Sequence, residues 1–374
     1  MYIKELTLTD YRNYNNVKIN FNIGVNIFWG DNGAGKTNIL EAIYLTSAGR
    51  SHRTSRDKDM IRQGAQDAFI NIKVIRKDGQ TDVNMMIPQN GSKRIKVNGK
   101  YINRIAQLMG IITAVIFSPE DLKLVKEGPD ERRRFIDIFI SQIKPDYLYN
   151  LQKYYKVLEN RNKTLKDIKY GHASRDLLAV WNEQLAYIGA GLLEQRLSFA
   201  DKICAEVSDI HRYITDHKES LKLRYKSTLN LSGDIKQNFI NALNQRLDAD
   251  INMGTTTIGP HRDDIIILVN DMDMRYYGSQ GQQRTAALSL KLGQLEVTED
   301  LIGEPPVLLL DDVMSELDIM RQNMLMSYMK RYQTMMTCIR KSDYLEQYDK
   351  KTFFYVENGQ VSIQHAGYGG VNVV

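Results

Sequence analysis

Cysteine is scarce in this sequence, which contains Cys204 and Cys338 and no other cysteine. Because these two residues lie far apart and lack metal-ligand spacing, the sequence excludes a disulfide framework and a cysteine-based metal centre. Long apolar runs are also missing, and the N-terminal residues alternate like a strand where a signal peptide would be continuously apolar. These absences predict a protein of the reducing cytoplasm.

A strong net charge is absent as well. The sequence has 50 basic and 45 acidic side chains, and its formal charge of +5 is too small to indicate a polyanionic partner. The distribution is more informative, because residues 147–175 contain seven Lys or Arg against two acids. The excess of positive over negative side chains in this one segment therefore equals that of the whole chain.

Proline is missing between Pro145 and Pro260, so no residue of that type interrupts a helix there. Within this stretch, apolar residues follow a three-four spacing from Leu178 to Ile214. The pattern predicts a long helix, preceded by another from about Pro145 to Lys169. Isolated glycines and the modest length favour a compact helical lobe over an extended coiled coil, which stays an alternative.

The sequence has one strong motif, a phosphate-binding loop of the form GxxxxGK[ST]. An apolar strand, Val25 to Trp29, precedes it, and a helical pattern follows from Asn38. Glycines let backbone N–H groups converge on phosphate oxygens, Lys36 would reach the β- and γ-phosphates, and Thr37 would ligate Mg²⁺. The motif predicts that the chain binds ATP or a similar nucleoside triphosphate, through Gly30, Asp31, Asn32, Gly33, Ala34, Gly35, Lys36, Thr37 and Asn38.

Apolar residues also alternate between Ala68 and Val97, in runs separated by Lys77 to Gln80 and by Gln89 to Ser92. Alternation of period two with turn residues between the runs is typical of antiparallel strands joined by hairpins. We predict an antiparallel meander over this stretch.

A second apolar strand, Val307 to Leu310, ends in two carboxylates, Asp311 and Asp312. A buried strand delivers such acids to its carboxyl end, where α/β sheets bind ligands. Asp311 would hold Mg²⁺, and Asp312 would accept a proton from the attacking water. Taken alone, the motif also fits a strand followed by a solvated acidic turn, but the phosphate-binding loop favours a Walker B element.

The segment Tyr277 to Arg284 contains a serine and glycines at the start of a predicted helix. Such a start binds phosphate through a hydroxyl, exposed N–H groups and the helix dipole. Because one nucleotide needs one phosphate-binding loop, a second anion-binding helix start suggests that it contacts the nucleotide of another subunit. The segment Ser315 to Asp318, directly after the acidic pair, is placed to bridge that interface.

The order of these motifs resembles the ATP-binding-cassette ATPases of the SMC and Rad50 group. About 130 residues separate Phe117 from Gly254, enough for a lobe but not for a long coiled-coil arm. Further segments over nearly the whole chain resemble the RecF family of bacterial recombination mediators. These segments are Leu6 to Tyr14, Phe117 to Leu122, Gly128 to Asp137 and Gly259 to Asp264.

The resemblance implies an α/β fold, in which an ATPase lobe with a mixed sheet and the antiparallel meander carries an inserted helical lobe. We predict that residues 1–117 and 254–374 form the ATPase lobe and that residues 118–253 form the insertion. Both halves are needed for one sheet, since Lys36 and Asp311 must approach the same phosphates and metal ion.

The resemblance also assigns roles to residues. Arg12 and Asn13 match a motif beside the nucleotide, although a capped surface turn is the alternative from the residues alone. Ser279, Gly281 and Gln282 match the signature motif, which acts on the γ-phosphate of the partner subunit in a homodimer. Asp318 matches the D-loop acid, and Ser118 to Glu120 is the best positional match to the Q-loop.

Two departures from the wider cassette pattern predict slow hydrolysis. The usual glutamate base is replaced by Asp312, and no histidine follows the next strand, where the chain has Thr337 and Cys338. A shorter base and a missing γ-phosphate sensor both weaken the positioning of water.

The function that the resemblance implies is an ATP-dependent DNA clamp. Two copies would enclose two Mg·ATP, bind single- or double-stranded DNA at gaps, and cooperate with proteins resembling RecO and RecR to load a recombinase. DNA contacts are predicted in the basic segment, at Lys153, Lys156, Lys163 and Lys166. The alternative function is the cytoplasmic ATPase subunit of a membrane transporter.

Two further groups stay open at the level of sequence. Arg132, Arg133 and Arg134 fit a solvated helix face as well as a DNA contact. His261 stands among mixed charges, for which a structural role is favoured over a metal site.

Overall fold

The computed structural model describes residues 1–340, 348, 350–364 and 372–373. The chain folds into two units, and segments from both ends of the chain form the first. This unit comprises Met1–Asp121 and Leu288–Val374, and the second comprises Leu122–Ala287. Among the residues that the structure describes, none of the helices could span a membrane.

The N-terminal part of the first unit consists mainly of strands. In chain order its elements are β1 (Tyr2–Tyr11), β2 (Tyr14–Asn20), β3 (Val25–Trp29), α1 (Lys36–Ala48), β4 (Asp67–Arg76), β5 (Gly79–Pro88), β6 (Arg94–Val97), β7 (Lys100–Ile102) and β8 (Ala114–Phe117). An antiparallel sheet has the order β2-β1-β4-β5-β6-β7, which confirms the predicted meander and adds β1, β2 and β7 to it. Its inward residues, such as Ile70, Met85 and Ile95, are buried.

The second unit is mainly helical. Its elements are α2 (Lys123–Lys126), α3 (Pro129–Ile143), α4 (Pro145–Lys169), α5 (Leu177–Ile214), β9 (Leu221–Lys226), α6 (Ile235–Gln245), α7 (Leu247–Met253), β10 (Asp264–Val269), β11 (Met272–Asp273) and α8 (Met274–Tyr277). The bounds of α4 are those predicted, and α5 begins one residue earlier than predicted. The strands form a small antiparallel sheet of order β11-β10-β9. The prediction of a helical lobe did not include this sheet.

The C-terminal part completes the first unit. Its elements are α9 (Gln280–Ile302), which begins within the second unit, β12 (Val307–Leu310), α10 (Ile319–Met329), β13 (Thr334–Cys338), β14 (Lys351–Glu357), β15 (Gln360–Gln364) and β16 (Asn372–Val373). They join β3 and β8 in a mixed sheet of order β16-β15-β14-β3-β13-β12-β8. The strand that precedes the phosphate-binding loop and the strand that ends in Asp311 are therefore in one sheet, as predicted.

Buried arginines hold the second unit together. Arg161 on α4 donates hydrogen bonds to Asp250 at 2.8 Å and to Thr256 at 2.7 Å. Arg196 on α5 donates to Asp137 at 2.7 Å and to the carbonyl of Pro260 at 2.6 Å. Each arginine is fully enclosed, so removing a carboxylate partner would leave an uncompensated buried charge, at a cost of about 3–5 kcal/mol.

These contacts explain where the units divide. The predicted boundary at residues 253 and 254 lies inside the second unit, which extends to Ala287. Residues after 253 stay with the helices because β10 pairs with β9 along its length and because Arg196 holds the Pro260 carbonyl. The signature segment consequently begins in the second unit.

Candidate nucleotide-binding site

The phosphate-binding loop links β3 to α1 and depends on its glycines. Gly30, Gly33 and Gly35 have φ values of +144°, +81° and +117°, a region that other residues rarely adopt. A Cβ on Gly30 would lie 2.3 Å from the carbonyl oxygen of Val356, and one on Gly35 would lie 2.6 Å from the amide nitrogen of Asn13. Backbone strain and close packing therefore both require glycine here.

Lys36 places its cation inside this loop. The side chain is buried, and its ammonium donates hydrogen bonds to the carbonyl oxygens of Gly30 at 2.7 Å and Asp31 at 2.9 Å. Asp31 and Asn32 themselves are exposed. The ammonium is thus held by loop carbonyls, in a loop of the kind whose cation and backbone N–H groups bind anionic phosphate oxygens.

Thr37 and Asp311 meet although 274 positions separate them in the chain. The Thr37 hydroxyl donates to Asp311 Oδ1 at 2.8 Å. Burial raises the pKa of the Asp311 carboxyl, and hydrogen bonds from Thr37 and Thr337 act in the opposite direction. A hydroxyl and a carboxylate are the hard oxygen ligands that Mg²⁺ accepts, and the ion commonly takes few protein ligands and completes its shell with phosphates and water. The residues present therefore fit Mg²⁺.

Thr337 holds both acids of the Walker B element, a role that sequence analysis missed. Its hydroxyl lies 3.0 Å from Asp311 Oδ1 and accepts a hydrogen bond from the backbone N–H of Asp312 at 2.9 Å. Asp312 has a φ of +52°, which is uncommon for a residue with a side chain. Thr337 is near the carboxyl end of β13, which pairs in parallel with β12. A hydroxyl residue at the end of this neighbouring strand is the sequence feature that could have predicted the contact.

Asn13 contacts the phosphate-binding loop, whereas Arg12 contacts the helix that follows. The Asn13 amide donates to the carbonyl of Ala34 at 2.8 Å and accepts from Asn38 at 2.8 Å. The Arg12 guanidinium forms a two-pronged ion pair with Glu41 at 2.8 and 2.6 Å. The arginine therefore positions α1 through Glu41, and its predicted contact with the nucleotide stays a prediction.

Two residues beside the loop were not predicted. The Tyr14 hydroxyl donates to the carbonyl of Gly35 at 3.0 Å, and burial raises the pKa of this phenol above its usual range. Arg53 donates to Asn38 at 2.8 Å and keeps 43% of its side chain exposed. Arg53 thus contacts the residue that follows Thr37, and its guanidinium is accessible to a ligand.

The signature residues begin α9 with a reciprocal cap. Ser279 Oγ accepts from the N–H of Gln282 at 3.2 Å, and Gln282 Oε1 accepts from the N–H of Ser279 at 3.0 Å. Gln282 also donates to Glu219 at 2.8 Å. Ser279 and Gly281 are exposed, so this helix start is accessible to a ligand.

Asp318 caps α10 by accepting a hydrogen bond from the N–H of Arg321 at 3.0 Å. The next two residues, Ile319 and Met320, are 77% and 59% exposed. An exposed apolar pair directly after the predicted D-loop acid is suited to contact with another protein surface.

The basic helix α4 exposes its lysines and buries two of its tyrosines. All four predicted DNA-contacting residues are exposed: Lys153, Lys156, Lys163 and Lys166. Tyr147 and Tyr154 are fully buried and bind Asp137 at 2.5 Å and His261 at 2.8 Å. These two tyrosines therefore belong to the core of the unit and do not lie on the exposed face with the lysines.

The arginine cluster on α3 also has structural partners. Arg132 forms a two-pronged ion pair with Asp264 at 2.7 and 3.0 Å, and Arg133 donates to the carbonyl of Asp263 at 2.5 Å. Both arginines link α3 to the start of β10. This arrangement favours a structural role over a DNA contact for these two residues.

His261 is a neutral structural residue. Its Nδ1 lies 2.8 Å from the Tyr154 hydroxyl and its Nε2 lies 3.1 Å from the carbonyl of Thr256. A carbonyl accepts only, so Nε2 carries the proton and Nδ1 accepts from the tyrosine. Burial lowers the pKa of His261 to about 4, which agrees with that neutral tautomer.

Known proteins similar to this chain are concerned with DNA repair. The description "RecF/RecN/SMC N terminal domain" belongs to the family profile that matches residues 2–362. The DNA replication and repair protein RecF of Ruminiclostridium cellulolyticum is 45% identical over 350 residues, 92% of this chain and 94% of that protein. The protein of the same name from Clostridium botulinum (strain Eklund 17B / Type B) is 43% identical over 363 residues, 96% of this chain and 99% of that protein.

Solved structures give the same picture. The recombination mediator protein RecF-ATP of the RecFOR pathway superposes with a TM-score of 0.91 at 37% identity, covering 97% of this chain and 98% of that one. The Smc head domain from Pyrococcus furiosus superposes with a TM-score of 0.57 at 19% identity, covering 97% of this chain and 96% of that one. The second likeness is one of fold alone.

Proposed function

Since this chain belongs to the RecF family, we propose that it is an ATP-dependent DNA-binding protein of recombinational repair and replication restart. In this proposal two copies bind ATP, close on DNA at single-strand gaps and help to load a recombinase, and hydrolysis of ATP releases them. The solved relative described as RecF-ATP supports ATP as the nucleotide.

One observation carries the proposal at the level of chemistry. Thr37 at the start of α1 and Asp311 at the end of β12 lie 2.8 Å apart, beside the buried ammonium of Lys36. The two requirements of an ATPase of this type, a phosphate-binding loop and an acidic metal ligand, are thus brought together by the mixed sheet.

Each residue of the site has a distinct part in the proposed hydrolysis. The hydroxyl of Thr37 and the carboxylate of Asp311 would hold Mg²⁺, which when bound neutralises charge on the β- and γ-phosphate oxygens. Lys36 binds the same oxygens. Asp312, fixed through its backbone to Thr337, accepts the proton of the attacking water.

Slow turnover follows from the same residues. The aspartate side chain is one methylene shorter than the glutamate common in cassette ATPases, so it reaches the water less closely. Thr337 occupies the end of β13, and its hydroxyl binds the two acids in place of a cation directed at the γ-phosphate. We expect DNA to stimulate turnover by favouring the closed dimer.

The signature segment explains why a dimer is proposed. Ser279 and Gly281 are exposed at the start of α9, where N–H groups and the helix dipole favour an anion. The partner subunit's γ-phosphate is the anion that we propose for this helix start. Proteins resembling RecO and RecR are the proposed partners, in line with the pathway named for the solved relative.

A membrane-transport function is not favoured. The relatives described above are DNA replication and repair proteins that match over more than nine-tenths of their length.

Equilibrium binding to labelled single strands, duplexes and gapped duplexes, with and without Mg·ATP, tests the proposed function. We expect ATP to raise the affinity for DNA in the unmodified protein and to have no effect after Lys36→Ala, which removes the phosphate-binding ammonium. Lys4→Ala is the control, because Lys4 is an exposed lysine of the same unit. DNA affinity that is independent of ATP in the unmodified protein would contradict the proposal.

A further inference from the structure

The antiparallel sheet of the first unit has an outward face with an unusual set of side chains. Strand alternation places Phe69, Asn84, Arg94, Lys96 and Tyr101 on this surface, opposite the buried Ile70, Met85 and Ile95. We call these five residues, together with Asn71, the outer sheet face.

Strand register brings these side chains into two neighbouring rows. In the first row, Phe69 pairs with Met86 and Met86 pairs with Arg94. In the second row the pairs are Asn71 with Asn84, Asn84 with Lys96, and Lys96 with Tyr101. Each row therefore contains one ring and one cation, on neighbouring strands in the second row and two strands apart in the first.

The two rings are exposed. Phe69 is 44% exposed and Tyr101 is 64% exposed. Single exposed apolar residues are ordinary on protein surfaces, but these two rings border the same depression, whose volume is about 440 Å³. Both rings therefore line a depression that a planar ligand can enter.

The depression is positively charged. Among the described residues, its lining includes the cations Arg94 and Lys96 and no carboxylate. The Lys96 ammonium lies 4.6 Å from the centre of the Tyr101 ring. Asp82, which lies outside the two rows on β5, accepts hydrogen bonds from Asn71 at 2.7 Å and from Asn84 at 2.6 Å, which disperses its charge. The surface is therefore complementary to a polyanion that carries flat apolar groups.

The spacing of the rings suits a chain of such groups. Phe69 is on β4 and Tyr101 is on β7, three strand spacings away, which corresponds to about 14 Å across the sheet. Sheets that present exposed aromatic residues bind two or three unpaired bases in this way, and the sugar-phosphate backbone runs beside cations at the edge.

We propose that the outer sheet face binds a short segment of single-stranded nucleic acid, with bases stacked on Phe69 and Tyr101 and phosphates beside Arg94 and Lys96. A duplex does not suit this surface, because its base faces are already stacked on one another. The inference rests on the proposed function, since it assigns one surface of a DNA-binding protein to the unpaired strand of a gap.

Removal of both rings from the full chain tests this inference. Phe69→Ala with Tyr101→Ala is expected to lower the affinity for a labelled oligothymidine about tenfold per ring, in line with stacking on aromatic residues. The affinity for a blunt duplex should stay unchanged. Phe69→Trp with Tyr101→Phe should retain single-strand affinity. As the control, Tyr213→Ala removes a ring that is 71% exposed from the second unit.

Photocrosslinking provides an independent readout. An oligonucleotide with 5-bromodeoxyuridine should crosslink to the peptides of β4 and β7 in the unmodified protein. If the double substitution leaves the single-strand affinity unchanged, the inference is overturned. The outer sheet face would then be a candidate surface for a protein partner. Equal losses for single strands and duplexes would also overturn it. Absence of any DNA binding by the unmodified protein would instead contradict the proposed function.

Discussion

Asp311 and Asp312 are adjacent in sequence, but their environments differ and so should their roles. Asp311 is buried against Thr37 and Thr337, whereas Asp312 is partly exposed at the beginning of a turn. Asp312→Asn keeps the shape of the side chain and removes the proton acceptor, so hydrolysis should fall about 10²-fold or more while Mg·ATP affinity is retained. Asp311→Ala should weaken Mg·ATP binding itself.

Single-turnover hydrolysis and titration with a fluorescent ATP analogue distinguish the two effects. Asp300→Asn is the matched control, because Asp300 is an exposed carboxylate of the same unit. Undiminished turnover in Asp312→Asn would show that another group accepts the proton.

His261 makes the stability of the protein depend on pH. Burial lowers its pKa to about 4 in the folded protein, whereas an unfolded chain titrates near 6.5. Between these values the unfolded state binds a proton that the folded state does not, so the free energy of unfolding falls as pH falls. The contribution is complete above pH 6.5, and about 2 kcal/mol of it should be lost by pH 5.

Urea denaturation at pH 7 and pH 5 measures this loss. His261→Gln should reduce the difference between the two pH values, and His172→Gln, at an exposed histidine, should not. If the His261→Gln protein shows the full difference, another group is responsible for it.

At the scale of elements, α4 presents a row of exposed lysines, and the contribution that we propose for them in DNA binding is electrostatic. Each lysine that neutralises a phosphate releases counterions, so the logarithm of duplex affinity should fall with the logarithm of salt by about 0.9 per contact. Replacing Lys153, Lys156, Lys163 and Lys166 by glutamine should flatten this slope and leave ATP-driven dimerisation intact.

The control for this prediction changes the same charge elsewhere in the second unit, at the exposed Lys202, Lys218, Lys222 and Lys226. Fluorescence anisotropy at several salt concentrations gives the slope for both variants. Equal slopes for the α4 variant and the unmodified protein would place the path of the duplex elsewhere.

The elements that the sequence predicted well have local signals. Pro145 starts α4, and its end at Lys169 is followed closely by Gly171 with a φ of +77°. By contrast, β9 was missed, although Leu221, Leu223 and Tyr225 alternate with basic residues. The absence of proline permits a helix in this segment but does not require one. Pairing with β10 makes residues 221–226 a strand.

The candidate site also contains residues that the sequence predicts and residues that it does not. The phosphate-binding loop is contiguous, so its residues and the strand and helix around it could be predicted from sequence. Thr337, Tyr14 and Arg53 reach the site from other segments, through strand pairing and loop packing that no local pattern encodes. Arg12 was placed beside the nucleotide by resemblance, and its contact with Glu41 depends on the conformation of a turn.

At the scale of the whole molecule, the proposed function requires two copies. Ser279→Arg puts a long cation on the exposed start of α9, where the nucleotide of the partner subunit would dock. The variant should still bind ATP as a monomer, and its ATP-induced dimer and its hydrolysis should disappear. Light scattering with and without ATP gives the mass.

Ser174→Arg, at an exposed serine in the loop between α4 and α5, is the control and should dimerise normally. An ATP-induced dimer of the Ser279→Arg protein would show that the signature segment lies outside the interface.

The position of β3 in the mixed sheet has a consequence for synthesis of the protein on the ribosome. β3 is completed when residue 29 has been added, yet its neighbours β13 and β14 begin at Thr334 and Lys351. Both edges of this apolar strand stay without their partners until most of the chain has been translated, and such edges invite pairing with other chains. The second unit, Leu122–Ala287, is continuous in sequence and emerges during that interval. We therefore expect unwanted pairing with other chains during synthesis at the strand that leads into the phosphate-binding loop.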